Sequence, residues 1–276
     1  MGLASITVDR PGGPATFGIG ELTNIRVTDY AVSTTIPFET ALGGTVSTPA
    51  EPTALPGPGQ RAALLEDNLL NTTINNPSVT TGLVFEFVDG GGAKTVVSNG
   101  PGVDLVVFEI SPPAGVMPPS GGPTVLGGDP FRLSGVGGDA DKSVEFFAED
   151  YEQIGPNGTA ANISFFGPAA GTTPVASLAE FESIDLVALG VFGLNLYAAG
   201  VDLSELGFAE GAEVEALVLN SIGETGFGAD PSLIVGLPSG GDGDSAEVVP
   251  TPGAAVAGLL LLGGLISRRK TREPRP

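Results

Sequence analysis

The sequence predicts an all-β protein, a β-sandwich followed by a single hydrophobic helix at its carboxyl terminus. Three observations carry this expectation. Short runs of strand composition recur through residues 1–238, separated by clusters of Gly, Pro, Asn and Asp, the pattern of many strands joined by tight turns. The 43 glycines and 24 prolines, about a quarter of the 276 residues, work against long helices. Helical periodicity is confined to 61–70 and 203–209, a turn or two each, which leaves no material for βαβ units.

In chain order, strands are expected at 22–36, 81–88, 94–98, 104–110, 142–148, 162–166, 184–189, 194–198 and 214–219. In the second of these, Leu83, Phe85 and Phe87 alternate with Val84, Glu86 and Val88, so one face is set to be buried. The run DLVVFEI at 104–110 is almost continuously apolar, as a central strand covered on both faces must be. Residues 1–238 read as one β-sandwich domain. The proline-rich 50–60, AEPTALPGPGQ, is either a long loop within it or a linker that sets off 1–49 as a separate N-terminal part. Residues 239–248, rich in Gly and Asp, read as a linker to the carboxyl-terminal segment 249–276.

Composition excludes several chemistries. With no cysteine and no histidine, the chain has no thiol nucleophile, no Ser-His-Asp triad and no imidazole or thiolate metal site. The net charge of −21 is unevenly spread: residues 1–250 hold 6 basic against 31 acidic residues, whereas five of the eleven basic residues lie in the last nine positions. A body so acidic repels phosphate backbones, which excludes nucleic acid as a partner. The acidity serves solubility, and it also offers the oxygen ligands that calcium takes.

The segment 249–276 is the most informative. Its stretch 253–266 is fourteen residues without a charge, and 249–267 as a helix reaches about 28 Å, close to the hydrocarbon thickness of a bilayer. Arg268, Arg269 and Lys270 follow at once, a cationic stop that keeps its own side cytoplasmic and the acidic body outside. The sequence Val249-Pro250-Thr251-Pro252, then the apolar 253–266, then Arg268-Arg269-Lys270 resembles the PEP-CTERM sorting signal of bacterial exosortase substrates, with Thr251 where that family usually carries glutamate. The resemblance implies export, transient anchoring by a transmembrane helix, cleavage near Val249–Pro252 by an exosortase-like enzyme, and release to the cell envelope or extracellular matrix. The opening MGLASITVDRPGG reaches Asp9 and Arg10 without the basic and apolar regions of a signal peptide, so the expectation is a truncated or misassigned start.

A second resemblance lies in the body. AALLEDNLLNTTINNP followed by GLVFEFVD is similar to the opening of galactose-binding-like jelly-roll domains, in which an acidic, amide-rich loop precedes a core strand. It implies a jelly-roll sandwich and a structural Ca²⁺ held by Asp67, Asn68, Asn71 and Thr72; the same residues also suit a plain Asx-rich turn. No Trp and only Tyr30, Tyr151 and Tyr197 are available as a sugar-stacking platform. The Asp-x-Asp pairs at 139–141 and 242–244 lack the glutamate of an EF-hand loop.

These readings converge on a non-enzymatic exported surface or matrix protein with a structural or adhesive role. Two alternatives of other classes are a carbohydrate-binding module with a Ca²⁺-stabilised loop, bound to extracellular polysaccharide, and a polysaccharide-active enzyme working through two carboxylates.

Overall fold

The computed structural model describes residues 3–9, 13–31, 38–42, 59, 61, 72–73, 77–78, 80–111, 128–136, 143–147, 150–154, 161–169, 175–222, 230–238 and 245–250. In chain order the strands are β1 (Leu3–Asp9), β2 (Ala15–Gly18), β3 (Asn24–Tyr30), β4 (Phe38–Leu42), β5 (Thr72–Thr73), β6 (Leu83–Val88), β7 (Val97–Ser98), β8 (Leu105–Ser111), β9 (Phe131–Gly135), β10 (Ser143–Phe146), β11 (Glu152–Ile154), β12 (Ala161–Pro168), β13 (Leu186–Val201), β14 (Glu213–Val214), β15 (Ala216–Ser221), β16 (Pro231–Gly236) and β17 (Ser245–Pro250). One short helix, α1 (Leu178–Ser183), precedes β13. The protein is all-β, and the sheets are antiparallel throughout these strands.

Three sheets and a two-stranded ladder are formed. Their orders are β17-β1-β2, β10-β9-β15-β6-β3, and β16-β8-β13-β12-β4-β5 with β11 also paired to β13, while β14 pairs β7. A pair of backbone bonds between Thr23 and Gly236 ties the residue before β3 to the end of β16.

The alternation of β8 shows how its sequence organises the interior. Leu105 and Val107 join a cluster with Ile25, Phe85, Phe87, Phe131 and Leu217, drawn from the five-stranded sheet. Val106 and Phe108 join a second cluster with Ile6, Val8, Leu233 and Val235. Successive side chains of a strand point to opposite faces, so a strand apolar at both parities must be covered twice. The 104–110 run predicts that arrangement. Each large side chain buried this way contributes about 1.5–3 kcal/mol by removal from water.

β6 follows its predicted alternation, with Leu83, Phe85 and Phe87 fully buried. The two strands expected at 184–189 and 194–198 are one strand: Gly190 and Gly193, which read as a turn, pair instead with Phe165 and Asn162 of β12. Residues 203–209 form a 3-10 turn over Leu203–Leu206, and apart from Arg61 the expected turns at 61–70 lie outside the described residues. Helix α1 was not expected. Ser177 caps it by accepting from the Glu180 N–H at 3.2 Å, Glu180 Oε2 accepts from the Ala176 N–H at 2.8 Å, and Phe181 packs edge-on to Tyr30 with ring centroids 4.9 Å apart.

At the carboxyl terminus, Ser245–Pro250 pairs with β1, from Asp9 opposite Ser245 to Leu3 opposite Pro250. The strand therefore includes part of 239–248 and the first two residues of 249–276. The hydrophobic helix expected over 249–276 lies, beyond Pro250, outside the described residues. Among the described residues no helix is long and apolar enough to cross a membrane.

Candidate functional site

The strongest concentration of chemistry among the described residues lies where β8 runs out of its apolar segment. Glu109 occupies the same parity as Leu105 and Val107, opposite Tyr197 of β13 and Pro231 of β16. It is fully buried, at 0% exposure. Two chain segments converge on it. Asp129, just ahead of β9, donates its backbone N–H to Glu109 Oε1 at 2.6 Å, and Asp230, just ahead of β16, donates its own to the same oxygen at 3.5 Å. Glu109 Oε2 is buried without a hydrogen-bond partner.

Tyr151 closes this corner. Its hydroxyl donates to the Asp129 carbonyl at 2.7 Å, and its ring stands edge-on to Phe131 and Tyr197. Gly128 makes this approach feasible: its φ of +65° is left-handed, and a Cβ there would lie 2.4 Å from the Tyr151 ring. Asp129 and Asp230 are themselves buried.

Burial, and after it the charge of Asp129, pushes the Glu109 carboxyl well above its ordinary value of 4.5, outweighing the Tyr151 hydroxyl and the two backbone donors that favour ionisation. Burial, reinforced by Glu109, likewise pushes the Tyr151 hydroxyl up. Among the described residues no Lys or Arg forms an ion pair with Glu109, and no three His, Cys, Asp or Glu side chains are gathered as metal ligands would be. The arrangement is suited to holding a proton and to pinning two chain segments.

A second buried acid sits at the other end of the same strand. Asp104 accepts from the Gly100 N–H on Oδ1 at 2.8 Å and from the Leu203 N–H on Oδ2 at 3.0 Å, fixing the turn before β8 to the one after β13. Elsewhere, buried Arg61 donates to the Phe181 carbonyl and lies over the Phe181 ring at 5.9 Å, and desolvation lowers its guanidinium against the pull of Glu182 and Asp185.

Of the residues singled out in the sequence, Asp67, Asn68 and Asn71 lie outside the described residues, and Thr72 opens β5, paired with Thr40. Val249 and Pro250 end β17; Thr251, Pro252, Arg268, Arg269 and Lys270 lie outside. Tyr30 and Tyr197 are buried and Tyr151 is held in the Glu109 corner, so none of the three forms an exposed stacking platform. The large hydrophobic side chains exposed among the described residues are Val136 and Val187. Sequence reasoning missed Glu109. Its signal was present as the one charge within the strand Leu105–Ser111, in a run set to be covered on both faces.

Comparison of the chain with protein-family models, with curated proteins and with solved structures gave no match.

Proposed function

We propose that this chain is a non-enzymatic, exported protein of the cell envelope or extracellular matrix, with a structural or adhesive role. In this reading an acidic β-sandwich of jelly-roll type is carried across the membrane and sorted by a PEP-CTERM-like tail. The observation that supports it most is the succession of Val249-Pro250-Thr251-Pro252, the uncharged 253–266 and Arg268-Arg269-Lys270. The sandwich is supported by the cluster to which the five-stranded sheet and β8 both contribute. In the chain's path, Val249 and Pro250 of the motif end β17, paired with β1, and the rest of the motif follows that strand. An exosortase-like protease and the membrane are the transient partners of this scheme. The stacking platform that a carbohydrate-binding module would use draws no support from the three tyrosines.

Fractionation of cells producing the full chain, with intact-mass measurement of the product, tests the reading. The expected product is shortened near Val249–Pro252 and recovered from the envelope or the medium. An intact chain, residues 253–276 included, recovered from the cytosolic fraction contradicts it. Replacing Arg268, Arg269 and Lys270 by Asn removes the cationic stop and is expected to leave the membrane-bound precursor scarce.

A further inference from the structure

We propose that Glu109 is a proton-operated clasp: as the neutral acid it holds the starts of β9 and β16 against the end of β8, and on losing its proton to solvent it loosens them. The geometry carries the inference. The carboxyl group is fully buried, and one of its oxygens receives both backbone donors while the other receives none. That asymmetry fits a carboxylic acid, whose carbonyl oxygen accepts and whose hydroxyl carries the proton. An ionised carboxylate in the same place would leave one charged oxygen without solvent or a backbone donor, and such a group neutralises itself where, as among the described residues, no cation pairs with it.

The charged and titratable groups packed around it reinforce the argument. They are Asp129 from the segment before β9, Asp230 from the segment before β16, Tyr151 from the segment before β11, and Tyr197 across the β8–β13 pair. Two are acids and two are phenols, and among the described residues none of these groups offers a positive charge. The segments Glu109 pins are distant in sequence, so the clasp closes one end of the larger cluster, beside Phe131 and the Tyr151 ring.

The sign follows from linkage. A carboxyl whose folded-state proton affinity exceeds its unfolded one stabilises the fold fully below the ordinary carboxylate range, and that contribution disappears as pH rises through the raised folded value. This is opposite to an ion-paired carboxylate, which strengthens a fold as pH rises.

The test is chemical unfolding of the full chain between pH 4.5 and 9, for the native sequence and Glu109→Gln, reading the difference so that the remaining acids cancel. Glutamine keeps the shape and the neutral state. The two proteins are expected to agree at the acid end, and the native folding constant to fall relative to Glu109→Gln by up to about tenfold per pH unit above the onset. Asp129→Asn keeps the backbone donor and removes the neighbouring charge, so it is expected to end the fall at a lower pH and to make it smaller, with the onset unchanged. Amide exchange at Asp129 and Asp230 in the native protein is expected to speed up across the same interval, beyond the ordinary base-catalysed rise, and this readout stands even where Glu109→Gln fails to fold. A difference that stays constant with pH overturns the proposal. So does rescue of the native protein at high pH by calcium chloride alone, with Glu109→Gln unmoved, because a cation rather than a proton would then be the neutralising partner.

Discussion

Asp104 and Glu109 flank the apolar run of β8 and are both buried, yet the backbone treats them differently. Asp104 receives one N–H on each oxygen, from Gly100 and from Leu203. Glu109 receives two N–H groups on one oxygen and leaves the other bare. The first has both oxygens satisfied by the protein in place of water. The second is a carboxyl that burial, and after it the charge of Asp129, drives toward its neutral form. Two buried acids thus differ in how many of their oxygens the backbone satisfies.

The largest effect is expected from breaking the satisfied acid. Asp104→Ala leaves the Gly100 and Leu203 N–H groups without their acceptor and should cost about 3 kcal/mol in urea unfolding, with Asp104→Asn losing about half as much because the amide offers one acceptor where the carboxylate offers two. Next comes the turn that delivers a donor to Glu109. Gly128→Ala places a Cβ against the Tyr151 ring at a positive φ, and a loss of about 2 kcal/mol is expected at any pH, measured by the same unfolding experiment. Tyr151→Phe removes the bond to the Asp129 carbonyl and keeps the ring contacts, so about 1 kcal/mol should be lost. Smallest is Arg132→Ala: Arg132 holds Glu145 on an exposed face at 2.6 Å, and a thermal melt should register well under about 1 kcal/mol, smaller still in high salt. If the exposed pair proved worth more than Asp104, the contrast between buried and exposed acids would fail.

Much of the fold was legible because its signals are local. Leu83, Phe85 and Phe87 announce a half-buried strand, and the run through Val106 and Phe108 announces one covered twice. The failures have physical causes. Gly190 and Gly193 read as a break, yet in β13 they pair within the sheet, where neighbouring strands supply the order that glycine lacks. β16 begins at Pro231, which reads as a breaker; proline is tolerated at a strand's first residue, and there the register with β8 is irregular. α1 is only six residues long, too short for a periodic signal, though Ser177 and Glu180 carry a capping signature. The candidate site was hidden for a different reason. Glu109 is one letter in an apolar run, and nothing local says that Asp129 and Asp230, remote in sequence, bring their backbones to it.

The most direct test of the contrast is a side-chain carboxyl titration by NMR on protein labelled at glutamate Cδ, with Glu109→Gln assigning the signal. The account predicts that the Glu109 resonance keeps the shift of a protonated acid after exposed glutamates such as Glu215, which Lys94 holds below its ordinary value, have ionised. A Glu109 resonance that titrates together with those exposed glutamates would contradict it.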